Sequence, residues 1–478
     1  FSLYYGKGDF SALLISGLLT AGVGAATWYL TLNHRKVIKK REGFLIVALG
    51  WLVMSISGSL PYILSGVIPD FASAFFETVS GYTTTGATVL SEIEGQPEGI
   101  LFWRSVTHWI GGMGIIVLTI AILPILGIGG MQLFTAESPG PSADKLHPRI
   151  QETAKRLWLL YVALTGLETV ILMIGEMDFY DAICHSFATV STGGFSTKNA
   201  SVAAFGPFVQ WVIIVFMFLS GINFTLIYFG IRGKLRKIWQ NEEFRYYLGL
   251  ILLAILITVT CIVYVEGEFT ERAIRDATFQ VIAVVTTTGF VTADFTAWMP
   301  IATVVFFLLF FTGGSAGSTS GGVKIVRHIV IIKNSVKEFK RLIHPSAIIP
   351  VRLNGRAVTQ KITFNILAFL IIYLSVFVVG ALVMGVLVAD APLMTPDGTP
   401  VSSLHPEGDM LYRWSTAIGT SASCIGNIGP GLGGVGPLQN YGWIPASGKL
   451  FLSFEMLIGR LELFTVLILF TPYFWKRK

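Results

Sequence analysis

Four short stretches rich in Thr, Ser, Gly and Asn recur along the chain in one setting: Tyr82-Thr83-Thr84-Thr85-Gly86-Ala87, Val190-Ser191-Thr192-Gly193-Gly194-Phe195, Val285-Thr286-Thr287-Thr288-Gly289-Phe290 and Ile425-Gly426-Asn427-Ile428-Gly429-Pro430. Each follows an apolar segment too short to cross a bilayer, whose core takes about 20 residues of helix. Longer apolar segments lie on either side. The repeating unit is therefore long, short, long: 43–66, 70–82 and 100–128; 156–176, 178–191 and 205–231; 246–265, 270–285 and 297–333; 362–389, 409–425 and 446–473. One more apolar run, 11–31, stands ahead of the first unit. Such a chain reads as an all-α integral membrane protein, with four pseudo-symmetric helix–pore helix–helix repeats around one central ion pore, plus an N-terminal spanning helix.

The divisions expected are 1–42 for the N-terminal helix and a basic linker, 43–128 for the first repeat, 129–231 for a linker and the second, 232–333 for a linker and the third, and 334–478 for a linker and the fourth. Composition leaves no soluble domain beside them, since 53% of the residues are hydrophobic and only 13% charged. Lys and Arg gather between the units, as Arg35, Lys36, Lys39, Lys40 and Arg41, as Arg232, Lys234, Arg236 and Lys237, and along 324–361. Acidic residues such as Glu92, Glu94, Asp294, Asp390 and Glu407 flank the Thr/Gly side instead. By the positive-inside rule the linkers face the cytoplasm and the Thr/Gly stretches the outside. Topology thus accounts for the net charge of +6, and nucleic acid is not expected as a partner.

Cys184, Cys261 and Cys424 lack C-x-x-C spacing and the seven His are dispersed, so no disulfide framework, transition-metal site or catalytic cluster is expected. Phe1 stands where an initiating Met would, which allows for an earlier segment.

A segment that dips into the membrane leaves non-helical backbone at depth, tolerated only where protein or a water-filled cavity satisfies it. Glycine at the turning point permits conformations barred to other residues and lets carbonyls approach an axis. Thr and Ser add hydroxyls without charge, which suits a monovalent cation exchanging water for carbonyl oxygen. The short helix before each glycine points its partly negative C-terminal end at the same place, again favouring a cation.

These motifs carry a resemblance. In Thr83-Thr84-Thr85-Gly86-Ala87-Thr88, Gly193-Gly194-Phe195-Ser196-Thr197, Thr287-Thr288-Gly289-Phe290, Asn427-Ile428-Gly429-Pro430-Gly431, Gly313-Gly314-Ser315-Ala316-Gly317-Ser318, Trp109-Ile110-Gly111-Gly112-Met113-Gly114 and Gly459-Arg460-Leu461-Glu462, the chain resembles the Trk/Ktr/HKT superfamily of potassium transporters, in its bacterial TrkH-type branch. The resemblance implies potassium uptake through a filter with one glycine per repeat, Gly86, Gly194, Gly289 and Gly429. It also implies that the two carbonyls before each glycine help hold K+: Thr84 and Thr85, Thr192 and Gly193, Thr287 and Thr288, Asn427 and Ile428. A multi-pass protein of the bacterial inner membrane is implied, as are a homodimer in membrane lipid and a cytosolic nucleotide-binding regulatory subunit, TrkA-like. No cofactor is expected in this chain; K+ is the transported ion and a nucleotide belongs to the partner. Two departures stand out: one spanning segment rather than two precedes the first repeat, and the outer loop 390–409 is long.

Residues 312–322, Thr-Gly-Gly-Ser-Ala-Gly-Ser-Thr-Ser-Gly-Gly, interrupt the last long segment of the third unit. Gly and Ser at this density break helix, and the G-x-x-x-x-G-K-[ST] order of a phosphate loop is absent around Lys324. At membrane depth such a loop lines the path below the filter, and the resemblance implies a movable gate in Gly313, Gly314, Ser315, Ala316, Gly317 and Ser318. Arg460 lies inside the last apolar segment, where a charge is expensive and usually functional or paired. The resemblance places it facing the path, where a charge about 6 Å from K+ at an effective dielectric near 20 repels it by roughly 3 kcal/mol.

Glu77, Glu168, Asp181, His185 and Asp276 are intramembrane polar residues that suit a proton relay, but those in the short segments, Glu77, Asp181, His185 and Asp276, are expected instead to cap or pin the short helices. The competing reading is an H+- or Na+-coupled secondary transporter, with the broken helix of the third unit as its midplane site.

Overall fold

The computed structural model describes residues 1–32, 40–114, 150–175, 177–344, 349–395, 399–403 and 405–476. After a single helical turn, Ser2–Tyr5, comes helix α1 (Phe10–Thr31). Unit one holds α2 (Lys40–Leu64), α3 (Phe71–Tyr82) and α4 (Glu98–Trp109); unit two holds α5 (Ile150–Ile174), α6 (Phe179–Val190), α7 (Pro207–Ser220) and α8 (Phe224–Ile231). Unit three holds α9 (Glu242–Glu266), α10 (Glu271–Val285), α11 (Pro300–Leu309) and α12 (Ile325–Ile343). Unit four holds α13 (Gln360–Leu387), α14 (Pro406–Gly426), α15 (Ala446–Arg460) and α16 (Phe464–Leu467). The strands among the described residues are one small hairpin, Arg352–Leu353 with Arg356–Ala357. Its Asn354-Gly355 turn takes positive φ at both residues, which is the preference of an Asn-Gly hairpin.

Local chemistry sets the helix starts. Asp70, Asp178 and Thr270 accept N–H bonds from Ser73, Asp181 and Ala273, capping the short helices α3, α6 and α10. Proline opens the returning helix of each unit, as Pro97 and Pro445 just before α4 and α15 and as Pro207 and Pro300 at the first position of α7 and α11. Its fixed φ suits that place and its missing N–H is not needed there.

Helices α1, α2, α5, α9 and α13 are long and apolar enough to cross a membrane. Their outward faces carry exposed Leu18, Val23, Leu252, Leu256 and Val386, an arrangement stable only against lipid. The short helices are wrapped instead: in α3 every residue from Ala72 to Tyr82 is buried.

The returning segments differ from the unbroken spans expected for 205–231 and 446–473. Helices α7 and α8 meet at 110° across Gly221, Ile222 and Asn223. Helix α15 stops at Arg460, and Glu462 and Leu463 take positive φ before the chain resumes. Helix α4 ends in a wide turn, Ile110–Gly114, with Gly112 outside helical geometry. Residues 115–128 of that segment, the linker 129–149 and the basic positions 35, 36 and 39 lie outside the described residues. The break expected in unit three is thus one of four, and glycine explains why. A Cβ on Gly111 would lie 1.9 Å from the Tyr82 carbonyl oxygen, and one on Gly459 2.1 Å from that of Ile425. In units one and four the returning helix thus presses backbone to backbone against a short-helix end, and regular helix stops there; in unit two a Cβ on Gly221 would instead meet the Tyr247 hydroxyl at 2.4 Å and Thr286 Cγ2 at 2.8 Å.

Candidate functional site

Each short helix ends in the same two backbone bonds. Thr85, Gly193, Thr288 and Ile428 donate N–H to the carbonyls of Ser80, Ala188, Ala283 and Ser423 at 2.9, 2.7, 2.8 and 3.0 Å. Thr84, Thr192, Thr287 and Asn427 donate to Gly81, Thr189, Val284 and Cys424. This is a Schellman end, which requires a left-handed residue just past the helix. Thr84, Thr192, Thr287 and Asn427 supply it, with φ of 53, 58, 55 and 53°. A β-branched residue held there costs on the order of 1–3 kcal/mol, and such strain gathers at functional sites. Three threonines carrying it at equivalent positions mark a shared constraint.

The four glycines that follow form a closed ring. A Cβ on Gly86 would lie 2.2 Å from the Gly193 carbonyl oxygen, one on Gly194 2.0 Å from that of Thr288, one on Gly289 2.0 Å from that of Ile428, and one on Gly429 2.6 Å from that of Thr85. The contacts run from unit one to two, two to three, three to four and four to one. All four glycines open onto one cavity of about 150 Å³, lined also by Thr88, Ser91, Asn199 and Gln439. The twelve expected filter residues are therefore brought together; Gly86, Gly194 and Gly289 are half-buried and the other nine are buried.

Side chains behind the ring hold it. Glu77 accepts from Thr88 Oγ1 and the Val89 N–H and pairs with buried Arg104 at 2.7 Å. Arg104 also bonds the Ser196 carbonyl and lies 3.5 Å from the Phe195 ring centroid, tying unit one to unit two. At the matching place in unit two, His185 Nε2 meets Ser196 Oγ, and Asp181 accepts from Thr197 Oγ1. Glu77, Asp181 and His185 thus hold the chain just past the glycine ring. Asp276 pairs with Arg272 at 3.4 Å, and Glu168 is fully buried in α5. Outside the membrane-spanning helices, the Ser73 N–H bond holds the Asp70 carboxyl below its usual range and so keeps the α3 cap charged. Arg104 could not be assigned from sequence, because its partner sits a whole helix away.

The glycine-rich loop of unit three lies under the ring. Gly321 donates its N–H to Thr287 Oγ1 at 2.6 Å, and a Cβ there would touch Asn427 and the Gly426 carbonyl. Ser315 N–H bonds the Gly221 carbonyl, Ala316 N–H bonds Glu243, and the Ala316 carbonyl accepts from Asn223. Asn223 also caps α8, a task quite apart from the Asn-Phe-Thr glycosylation pattern it forms. Thr319 Oγ1 reaches the Val190 carbonyl at 3.0 Å.

Arg460 joins this layer from unit four. Its guanidinium donates to the carbonyls of Thr319 and Gly111, both at 2.8 Å. It therefore stands at the last turn of α15 rather than within a continuous helix, and it links the loop to the break in unit one. Glu462 pairs with Arg327, and Glu455 accepts from Ser421.

No group of His, Cys, Asp or Glu able to hold a metal ion occurs among the described residues. The ring instead offers what a dehydrated alkali cation requires, neutral oxygen at the negative ends of four helices.

Comparison with known proteins agrees with this chemistry. The family described as TrkH, cation transport protein, matches residues 10–387. The Trk system potassium uptake protein TrkH of Escherichia coli (strain K12) is 38% identical over 482 residues, covering 99% of this chain and 94% of that protein. The Trk system potassium uptake protein TrkG of the same strain is 34% identical over 481 residues, covering 99% and 94%. The crystal structure of the potassium transporter TrkH from Vibrio parahaemolyticus superposes with a TM-score of 0.83 at 35% identity, covering 99% of this chain and 94% of that one.

Proposed function

This chain belongs to the TrkH family of cation transport proteins, and from that premise we propose that it takes up potassium through the glycine ring, as a multi-pass protein of the bacterial inner membrane. The supporting observation is the closure of the ring: four equivalent carbonyl-bearing turns touch in cyclic order around one cavity. In this reading the filter comprises Thr84, Thr85, Gly86, Thr192, Gly193, Gly194, Thr287, Thr288, Gly289, Asn427, Ile428 and Gly429. With one such glycine per repeat, K+ and Rb+ pass best and some Na+ follows. The division into an N-terminal part, 1–42, and repeats ending at 128, 231, 333 and 478 belongs to the same proposal.

The loop Gly313–Ser318 acts as the gate and Arg460 as its latch and electrostatic barrier. Hydrogen bonds from Arg460 and Asn223 to the loop, and from the loop to Glu243, hold it across the path, and a partner that strains them would open it. A cytosolic nucleotide-binding subunit, TrkA-like, docking on α12 and its basic neighbours is the proposed source of that strain, and a homodimer the proposed assembly. The names of the relatives point to a multi-component Trk system. The chain is a transporter and catalyses no covalent chemistry.

Uptake into proteoliposomes holding a K+ gradient tests the reading, with K+, Rb+, Na+ and Li+ compared and Gly289→Ser alongside. Selective K+ flux that relaxes in the variant is expected. Flux that requires a pH gradient, or selectivity indifferent to Gly289→Ser, would overturn it in favour of the coupled transporter.

A further inference from the structure

The four filter glycines are not equivalent at their own carbonyls. The Gly429 oxygen accepts from Tyr441 Oη at 2.7 Å and from Ser423 Oγ at 2.8 Å, both inside the protein. A carbonyl oxygen has two lone pairs, so this one has both engaged. Among the described residues no hydrogen bond reaches the carbonyl oxygens of Gly86, Gly194 or Gly289. Gly429 is also turned further, at φ 103° against 81, 83 and 76° for the other three.

The serine alone does not account for the difference. Ser80 holds the matching place in unit one, and its buried hydroxyl has no partner. Ala188 and Ala283 hold it in units two and three and have nothing to donate. The added element is Tyr441, which reaches back from the outer loop of unit four. Its N–H bonds the Thr88 carbonyl at 2.8 Å, and its ring packs on Phe76 with centroids 5.4 Å apart. Unit one thereby sets the position of a hydroxyl that acts on unit four.

We propose that Tyr441 and Ser423 together withdraw the Gly429 carbonyl from the ion path, so that the outermost layer of the filter coordinates through three units and completes the ion's shell with water from the cavity above. This rests on the ring being the ion filter. An ion entering a three-carbonyl layer keeps part of its hydration, which eases entry and lets Na+ compete. Tyr441 is then a positioning residue that sets how strongly K+ is preferred, while the deeper carbonyls of Thr85, Gly193, Thr288 and Ile428 form the complete layer.

The test is Na+ and K+ uptake by proteoliposomes containing Tyr441→Phe, the double variant Tyr441→Phe with Ser423→Ala, and Ser80→Ala. Freeing the oxygen restores a fourth ligand. Na+ uptake relative to K+ is expected to fall roughly three- to tenfold in the double variant, the factor that a hydrogen bond or two is worth. Tyr441→Phe, which keeps the ring against Phe76, is expected to show about half of that on a logarithmic scale and decides the matter if the double variant does not fold. Ser80→Ala is expected to match the wild type. An unchanged ratio, or one shifted toward Na+ as from a loosened scaffold, would overturn the proposal. Wild-type protein that carries no K+, or selectivity indifferent to Gly289→Ser, would instead remove the filter reading on which it stands.

Discussion

Two layers of glycine-bearing backbone lie one beneath the other, and they are held in different ways. In the upper ring each unit makes the same two helix-end bonds within itself, and the four φ values at Thr84, Thr192, Thr287 and Asn427 agree to within a few degrees. In the lower layer every unit breaks its returning helix differently, and the loop of unit three is fastened by side chains from elsewhere: Asn223 from unit two and Arg460 from unit four. Discrimination between ions needs one fixed geometry, which short-range bonds supply. Opening needs an element with two arrangements, and contacts made by side chains from other units can be exchanged for others.

Disturbing the upper ring should have the largest effect. Gly194→Ala puts a Cβ 2.0 Å from the Thr288 carbonyl oxygen. K+ uptake by the purified, monodisperse variant is expected to fall tenfold or more, because neither backbone can yield. Gly249→Ala, with no atom within 4 Å of the new Cβ, serves as the control and is expected to leave uptake unchanged. Equal uptake by the two variants would mean that the ring does not bound the path.

Disturbing the lower layer should act in the opposite direction. Arg460→Ala removes two bonds to backbone carbonyls and, on the proposed gate reading, a charge that opposes K+ by roughly 3 kcal/mol. Basal K+ flux is expected to rise at least threefold without a change in the K+/Na+ ratio. A fall in flux from folded protein would count against a latch.

A smaller effect belongs to Asn223→Ala, which loses one bond to the Ala316 carbonyl and the α8 cap, each worth about 1 kcal/mol. Two- to threefold higher basal flux is expected in tracer efflux, again with selectivity intact. A change in selectivity without a change in flux would show that the two layers are not separable.

The difference between the layers also explains what could be read from sequence. The upper ring repeats, so four Thr/Gly stretches at equivalent places disclosed it, and the short helices before them ended within a residue or two of expectation. The Schellman turns need only local residues, and their left-handed positions are filled by Thr or Asn in every unit. In the lower layer only the loop 312–322 has enough Gly and Ser to announce a break. The bends at Gly221 and after Arg460 come from close approach to another segment, the Tyr247 and Thr286 side chains in the first case and the Ile425 backbone in the second, and no local composition records that. Arg104, Tyr441 and Asn223 were invisible as functional groups for the same reason: their partners Glu77, Gly429 and Ala316 lie 12 to 93 positions away. Glu77 and His185 were legible as helix-pinning groups, while the residues they pin, Thr88 and Ser196, follow from the fold.

The most direct measurement is anomalous diffraction from crystals of this protein grown in Rb+, a K+ surrogate whose position can be read without reference to flux. A peak is expected on the axis of the ring, within reach of the carbonyl oxygens of Thr85, Gly193, Thr288 and Ile428, and it weakens when Rb+ is exchanged for Li+. A ring without density while Rb+ occupies another part of the membrane domain would contradict it, and would make the four glycines turns of a scaffold rather than walls of a filter.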